Sequence, residues 1–254
     1  MRRQLLSLAA VILTAGFIAA PSASAQQSVN FFVGGFVPVA ADARGDVSNG
    51  RSNDILVHDL DFLTFDINRL KGVTFGGEYL APLGDFFEAG ASLGYFQHSV
   101  PAADTNNVFP GGANIVADLK LRVVPFNATF RFLPLGRHHY GVEPYLGAGI
   151  GVFGWRYSES GQFVDYTPPV PRNPPIFNGT FAASGVATGP VVLGGVRFPM
   201  GAAVPGFEIK WQKARTDFLP TGPGADFPKD AAGNPTTLVD LGGMNYLFTF
   251  AIRF

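Results

Sequence analysis

The sequence predicts an all-β chain: an eight-stranded antiparallel up-and-down transmembrane β-barrel. Three observations predict it. Apolar residues recur with a period of two, short turns alternate with long polar stretches, and aromatic residues gather near strand ends. Composition agrees. Of 254 residues, 15% are charged against an apolar share of 47%, with 32 Gly and 25 Phe. Soluble domains carry about 25% charge. The net charge of −1 offers no basic field to nucleic acid. With no Cys, disulfides, thiolate metal sites and thiol catalysis are excluded.

In chain order, Arg2 and Arg3 precede an apolar run from Leu5 to Ala20, and Ala23-Ser24-Ala25 follows. This is the pattern of a secretory signal peptide. The expectation is a leader over 1–25, cleaved after Ala25, and a barrel over 26–254. A stretch from Asn173 to Val196 has no acid or base before Arg197, but Pro174, Pro175, Pro190 and several Gly argue against a helix there.

The first strand, about Val29 to Val37, is apolar on both parities, so its faces stay ambiguous. The second sets Val73, Phe75, Gly77, Tyr79 and Ala81 against Thr74 and Glu78. The third sets Phe87, Ala89, Ala91, Leu93 and Tyr95 against Glu88, Gly90, Ser92 and Gly94. In the fourth, Leu119, Leu121 and Val123 share a face opposite Lys120 and Arg122. After Val124-Pro125 the apolar face continues as Phe126, Ala128, Phe130 and Phe132, which predicts a β-bulge. The fifth sets Val142, Leu146, Ala148, Ile150 and Val152 against Glu143, Tyr145, Gly147, Gly149 and Gly151. The sixth shifts phase near Gly194-Gly195, with Arg197 opposite Val196 and Phe198. The seventh sets Phe207, Ile209 and Trp211 against Glu208, Lys210 and Gln212. The eighth alternates Met244, Tyr246, Phe248, Phe250, Ile252 and Phe254 with Asn245, Leu247, Thr249, Ala251 and Arg253.

Pro82-Leu83-Gly84, Pro134-Leu135-Gly136 and Pro199-Met200-Gly201 are three versions of one short turn. Between them lie four long stretches, about 40–70, 98–117, 157–180 and 214–242, expected as outer loops. Membrane barrels have this asymmetry. Near the short turns lie Tyr79, Phe87, Phe130, Phe132, Tyr140, Phe198, Phe207 and Phe254, an expected aromatic girdle. Tyr95, Trp155, Tyr157 and Trp211 are expected at the opposite rim.

A backbone in hydrocarbon must satisfy its polar groups internally, so the sheet has to close. An eight-stranded interior is just wide enough for side chains to fill. The parity opposite the apolar face carries Glu78, Glu88, Glu143 and Glu208 with Lys120, Arg122, Arg131, Arg197, Lys210 and Arg253. These are expected to pair as a structural network in the lumen, because an unpaired buried ion is costly. Inward Gly90, Gly94, Gly147, Gly149 and Gly151 leave room for the long side chains.

Other candidates carry little. His98 and Ser99 are adjacent, so a strand sends them to opposite faces. They also lack the spacer and Asn of the barrel lipid-A deacylases they invite comparison with. His138-His139 lies in a short turn. Asp54, Asp59, Asp61 and Asp66 read as a solvated or strand-extending loop rather than a calcium cage. Pro168, Pro169, Pro171, Pro174 and Pro175 stiffen the third loop. No cofactor, metal or catalytic site is expected.

The stretch from Glu143 to Gly151 (EPYLGAGIG) and the terminal stretch from Tyr246 to Phe254 (YLFTFAIRF) resemble the outer-membrane protein β-barrel domain family, relatives of the small OmpA/OmpX-type barrels. The resemblance implies a barrel in the outer membrane of a Gram-negative bacterium. It also implies that Tyr246, Phe248, Phe250, Ile252 and Phe254 serve as the signal read by the assembly machinery. The expected function is a structural or surface-interaction role through the outer loops, with outer-membrane lipid and an unidentified extracellular partner as contacts. The alternative is a narrow channel for ions or small apolar solutes, as in OmpW-like relatives. A lipid-modifying barrel enzyme ranks behind both.

Overall fold

The computed structural model describes residues 27–48, 51–137, 141–165, 175–218 and 237–254. The leader at 1–25, His138, His139, Tyr140 and the prolines from Pro168 to Pro174 lie outside the described residues.

Eight long strands form the wall: β1 (Ser28–Pro38), β2 (Gly72–Pro82), β3 (Phe87–Val108), β4 (Asn114–Phe132), β5 (Glu143–Val164), β6 (Ile176–Arg197), β7 (Ala203–Gln212) and β8 (Gly243–Arg253). Each pairs antiparallel with its sequence neighbours. β1 also pairs with β8, from Ser28↔Arg253 to Pro38↔Gly243, so the sheet closes without an edge. Both ends of the described barrel, Gln27 and Phe254, meet at the end that carries the short turns. There Gly84, Gly136 and Gly201 adopt φ of 81°, 71° and 70°, a left-handed conformation that side chains rarely tolerate.

β1, β2 and β8 are 11 residues long and β7 is 10, enough to cross a bilayer. β3, β5 and β6 are 22 residues and β4 is 19. These four overshoot the bilayer as two tall hairpins. The stretch 98–117 is therefore a correction to the expected loops: β3 runs to Val108, β4 starts at Asn114, and only five residues connect them. Within 157–180, residues 157–164 and 176–180 are likewise strand. Outside the bilayer the outward side chains face water, so their polar composition imitates a loop while the ladder continues.

The two expected phase slips are corrected for the same reason. The register of β4 against β5 runs unbroken from Ala117↔Gly161 to Phe132↔Leu146. Odd-numbered residues point inward from Ile115 to Arg131. What changes at Val124-Pro125 is the surroundings, not the backbone. Below it the wall is apolar outside and polar inside; above it Lys120 and Arg122 are exposed while Leu119, Leu121 and Val123 are buried. Pro125 lacks an N–H, and the β3–β4 ladder skips from Leu93↔Phe126 to Phe96↔Val123 without changing register. β6 behaves alike: Val191, Leu193 and Arg197 all point inward, and no bulge occurs at Gly194-Gly195. On β1 the ambiguity resolves with Asn30, Phe32 and Phe36 inside and Phe31, Val33 and Val37 outside.

The described parts of the first and last long stretches, 39–48, 51–71, 213–218 and 237–242, fold over the barrel mouth. Residues 39–71 hold the short helix α1 (Ile55–Asp59), a two-residue strand at Leu63–Thr64 paired onto β3, and a 3-10 turn at Ile67–Leu70. α1 starts where the Asp54 carboxylate accepts from Leu56 N at 3.0 Å. A helix of five residues has no stability of its own, so its buried Ile55 and Leu56 hold it. Between β7 and β8, Arg215–Asp217 pairs with Leu238–Asp240.

Candidate functional site

The interior has two storeys. At the turn end, strand alternation aims Glu78, Glu88, Arg131, Glu143, Arg197, Glu208 and Lys210 inward, and all are buried. One nitrogen of Arg131 donates to both oxygens of Glu78 at 2.7 Å and to Glu208 at 2.8 Å. Glu208 also accepts from Tyr145 Oη at 3.0 Å and pairs with Lys210 Nζ at 3.1 Å. Asn30 donates to Glu78 at 3.1 Å. Arg197 pairs with Glu88 at 2.5 Å, and Arg137 lies 3.7 Å from the same carboxylate. Arg253 pairs with Glu143 at 2.5 Å.

The Tyr145 ring links the clusters, with Arg131 at 4.8 Å and Arg197 at 4.6 Å from its centroid. Such contacts add about 0.5–2 kcal/mol each. Gly90 and Gly147 make the space: a Cβ on Gly90 would lie 3.1 Å from Glu78 Oε1, and one on Gly147 would lie 3.0 Å from Arg131 Cγ.

Eight of the ten expected lumen residues thus face the interior. Lys120 and Arg122 do not; they stand on the outer wall of β4 above the apolar band. Sequence reading missed Arg137, Asn30 and the linking role of Tyr145. Tyr145 could have been found, since it shares the inward parity with Glu143 and a Gly-rich run.

The second storey is apolar. Phe36, Phe96, Leu119, Leu121, Phe153, Trp155, Tyr157 and Val191 line it, and Ile55, Leu56, Ile67, Leu70, Phe218, Val239 and Leu241 descend into it from the mouth segments. Trp155 and Tyr157, expected in the upper girdle, belong to this plug instead. Tyr95 and Trp211 do face outward. At the turn end Phe87 stacks on Phe130 and Phe132, with ring centroids 5.2 and 5.5 Å away.

A buried ionic knot ties the two mouth segments together. Arg44 donates through Nε to Asp54 at 2.8 Å and through Nη2 to the Asp240 carbonyl. Asp240 N donates to Asp54 at 2.7 Å, and Arg215 Nε donates to the Asp240 carboxylate at 2.7 Å. Asp54 and Asp59, expected in a solvated loop, are buried. Asp59 accepts from Tyr157 Oη at 2.7 Å, which docks α1 on β5. Burial, then the neighbouring Glu159, pushes the Asp59 carboxyl well above its ordinary range; burial also raises Glu159. No local pattern marks Arg44, whose partners lie up to 196 residues away.

Among the described residues no cluster of His, Cys, Asp and Glu could hold a metal. His98 and Ser99 point to opposite sides of β3, His98 half-buried and Ser99 exposed. On β8, Tyr246, Phe248, Phe250 and Ile252 form one exposed apolar column that ends at exposed Phe254.

No protein-family model matches the chain, and no curated protein matches it. Solved structures do. The outer membrane protein OprG from Pseudomonas aeruginosa is similar at 14% identity and TM-score 0.53, over 91% of this chain and 96% of that one. Ail, the attachment invasion locus protein of Yersinia pestis, aligns at 9% identity and TM-score 0.39, over 91% of this chain and 100% of that one. The N-terminal barrel domain of Pseudomonas aeruginosa OprF gives 11% and 0.34, over the same shares. The likeness to OprG is one of fold: this chain is an eight-stranded antiparallel transmembrane β-barrel.

Proposed function

We propose that the chain is exported by a cleaved leader and inserted in the outer membrane of a Gram-negative bacterium. There it acts as a filled, non-enzymatic barrel with a structural or surface-interaction role. The observation that carries this reading is the occupied interior. Ion pairs cross the turn end, and the mouth segments pack Ile55, Leu56, Ile67 and Leu70 against Phe153 and Trp155. A filled barrel serves as a rigid pedestal, and specificity then lives on the segments it displays. The alternating charges inside also favour a network that sets the strand register rather than a water path. Outer-membrane lipid surrounds the wall, and the exposed β8 column ending in Phe254 suits recognition by the assembly machinery.

The test is reconstitution. The folded protein should migrate faster on a gel before boiling than after, fractionate with outer membranes and leave a planar bilayer electrically silent. Steady unitary openings from the intact chain would refute the filled barrel.

One observation favours the channel reading: the blocking residues Ile55 and Leu56 belong to a mouth segment, not to the wall. An apolar solute that displaced them would enter an apolar chamber. Solute-dependent uptake into vesicles that is lost when the double variant Arg44→Cys, Asp240→Cys is oxidised to a disulfide and restored by reduction would support that reading.

A further inference from the structure

Arg122 on β4 and Arg156 on β5 are direct cross-strand partners. Both side chains are exposed on the outer wall, as is Lys120, the next outward position on β4. Like charges set directly opposite on a sheet repel. Among the described residues none of the three has an ion-pair partner, and the acid nearest on that face, Asp118, flanks Lys120 rather than the arginines. Gln97 and Ser184 flank the arginine pair on β3 and β6. The site is therefore cationic, open and bordered by hydrogen-bonding groups.

Its height is informative. Ten residues separate Arg122 from Phe132 along β4, about 33 Å at the usual rise per residue. A strand tilt of about 40° reduces this to about 25 Å along the barrel axis, the thickness of the apolar band of such barrels. With the Phe132 ring at one interface, the arginine pair stands at the other, on the loop side. Charges there are tolerated, whereas arginines on the lipid face at the midplane are strongly destabilising.

A second feature lies directly below. Phe126, four residues from Arg122 on the same face, borders an apolar depression of about 510 Å³ on the outer wall. Gly77 and Ala91 form its floor, and Phe75, Leu93 and Tyr95 complete its sides. A Cβ added at Gly77 would meet only a carbonyl oxygen at 3.8 Å, so the floor is open.

We propose that Arg122 and Arg156, helped by Lys120, bind the phosphates of the anionic glycolipid of the outer leaflet, with one acyl chain of that lipid seated in the depression below. The proposal rests on the outer-membrane placement given above. Guanidinium groups grip phosphate oxygens in paired hydrogen bonds, and each such charge-assisted contact is worth about tenfold in affinity. The phosphate also neutralises the repulsion between the two arginines. The lipid would thereby clamp the tall β3–β4 and β5–β6 hairpins at the level where they leave the bilayer.

The test uses the folded full-length barrel in neutral detergent micelles, with diphosphoryl lipid A as probe and native mass spectrometry or fluorescence titration as readout. Each protein is first checked for heat-dependent migration. The wild type should bind diphosphoryl lipid A at least about tenfold tighter than the dephosphorylated lipid. Arg122→Gln with Arg156→Gln should erase that preference, and the Lys double variant should keep part of it. Arg69→Gln, on the exposed 3-10 turn, should keep all of it. Ala91→Leu, which fills the depression, should weaken binding of both lipids alike. Equal binding of the two lipids by a heat-modifiable wild type, or an unchanged preference in the double Gln variant, overturns the lipid site and leaves the barrel reading intact. Displacement of the lipid by millimolar inorganic phosphate marks a free-anion site and also overturns it. A wild type with no heat-dependent migration overturns both.

Discussion

Arg131 shows what a buried charge asks of its neighbours. Its guanidinium is fully enclosed, and it is shared by Glu78 and Glu208. Removing one member of such a set strands the others in a low-dielectric space, at a cost of about 3–5 kcal/mol. Arg131→Met should therefore lower the free energy of unfolding, measured by urea titration in detergent or lipid, by that amount. A quadruple replacement that turns Arg131, Glu78, Glu208 and its other partner Lys210 into apolar residues of similar size should recover much of the loss. A single replacement with no effect would mean that the network contributes nothing to folding.

Asp59 makes a second prediction at this scale. Its folded-state pKa is raised by burial and by Glu159, and Glu159 is raised by burial as well. A raised acid is favoured in its neutral form in the folded state. The docking of α1 on β5 is thus strongest below the ordinary carboxyl range and weakens as pH rises through the raised values. Protection factors for the amides at 55–59, that is the intrinsic base-catalysed exchange rate at each pH divided by the observed rate, should be high at pH 4–5 and lower at pH 8. Asp59→Asn should flatten this dependence, and protection factors that are independent of pH in the parent would contradict the assignment.

At the scale of elements, the mouth is closed by short pieces held by packing. α1 is five residues long, and its anchorage is the burial of Ile55 and Leu56 plus the Arg44–Asp54 pair. Leu56→Asp would bury an unpaired charge, which a five-residue helix cannot tolerate. The expected result is release of residues 39–71 from the mouth: proteolysis within that stretch, a red shift of the emission from buried Trp155, and an unchanged barrel by heat-dependent migration. Loss of the barrel itself would show that the mouth segments are part of the folding unit. Of these elements the sequence displayed little. Asp54 and Asp59 look solvated when read locally, because Asp240, Tyr157 and Glu159 come from distant strands and Arg44, ten residues before Asp54, carries no pattern that marks it as a partner. The alternation of β2, β5, β7 and β8 was legible, because one environment prevails along the bilayer-spanning part of each strand. The upper halves of β3, β4 and β6 were not, because the environment inverts along a continuous strand. Leu119, Leu121 and Val123 then look lipid-facing although they are enclosed.

At the scale of the whole molecule, the barrel combines two folding problems in one sheet. Inside the bilayer the solvent is hydrocarbon, so apolar residues go out and charges pair within. Beyond it the solvent is water, so Phe153, Trp155 and their neighbours go in and Lys120, Arg122 and Arg156 go out. The closing pair of β1 and β8 joins the first and last strands of the sheet, so most of the chain must be in place before the ring is complete. Substituting Pro at Phe248, which would remove an N–H from the centre of β8, should block closure and leave the chain in an unfolded or aggregated form. Assembly into a heat-modifiable barrel despite that change would argue that closure does not depend on β8.

By itself the sequence determined the class of fold, the number of spanning strands, the short turns and which residues face lipid along the bilayer-spanning parts of β2, β5, β7 and β8. Each of these follows from period-two alternation and from Gly and Pro at turn positions, which are local properties of the chain. Only the tertiary structure decided which acid meets which base, that β3 to β6 outrun the bilayer, and that the arginines at 122 and 156 stand on the outer wall. Those outcomes depend on where each strand crosses from hydrocarbon to water, and that boundary is set by the register of the closed sheet rather than by any one segment.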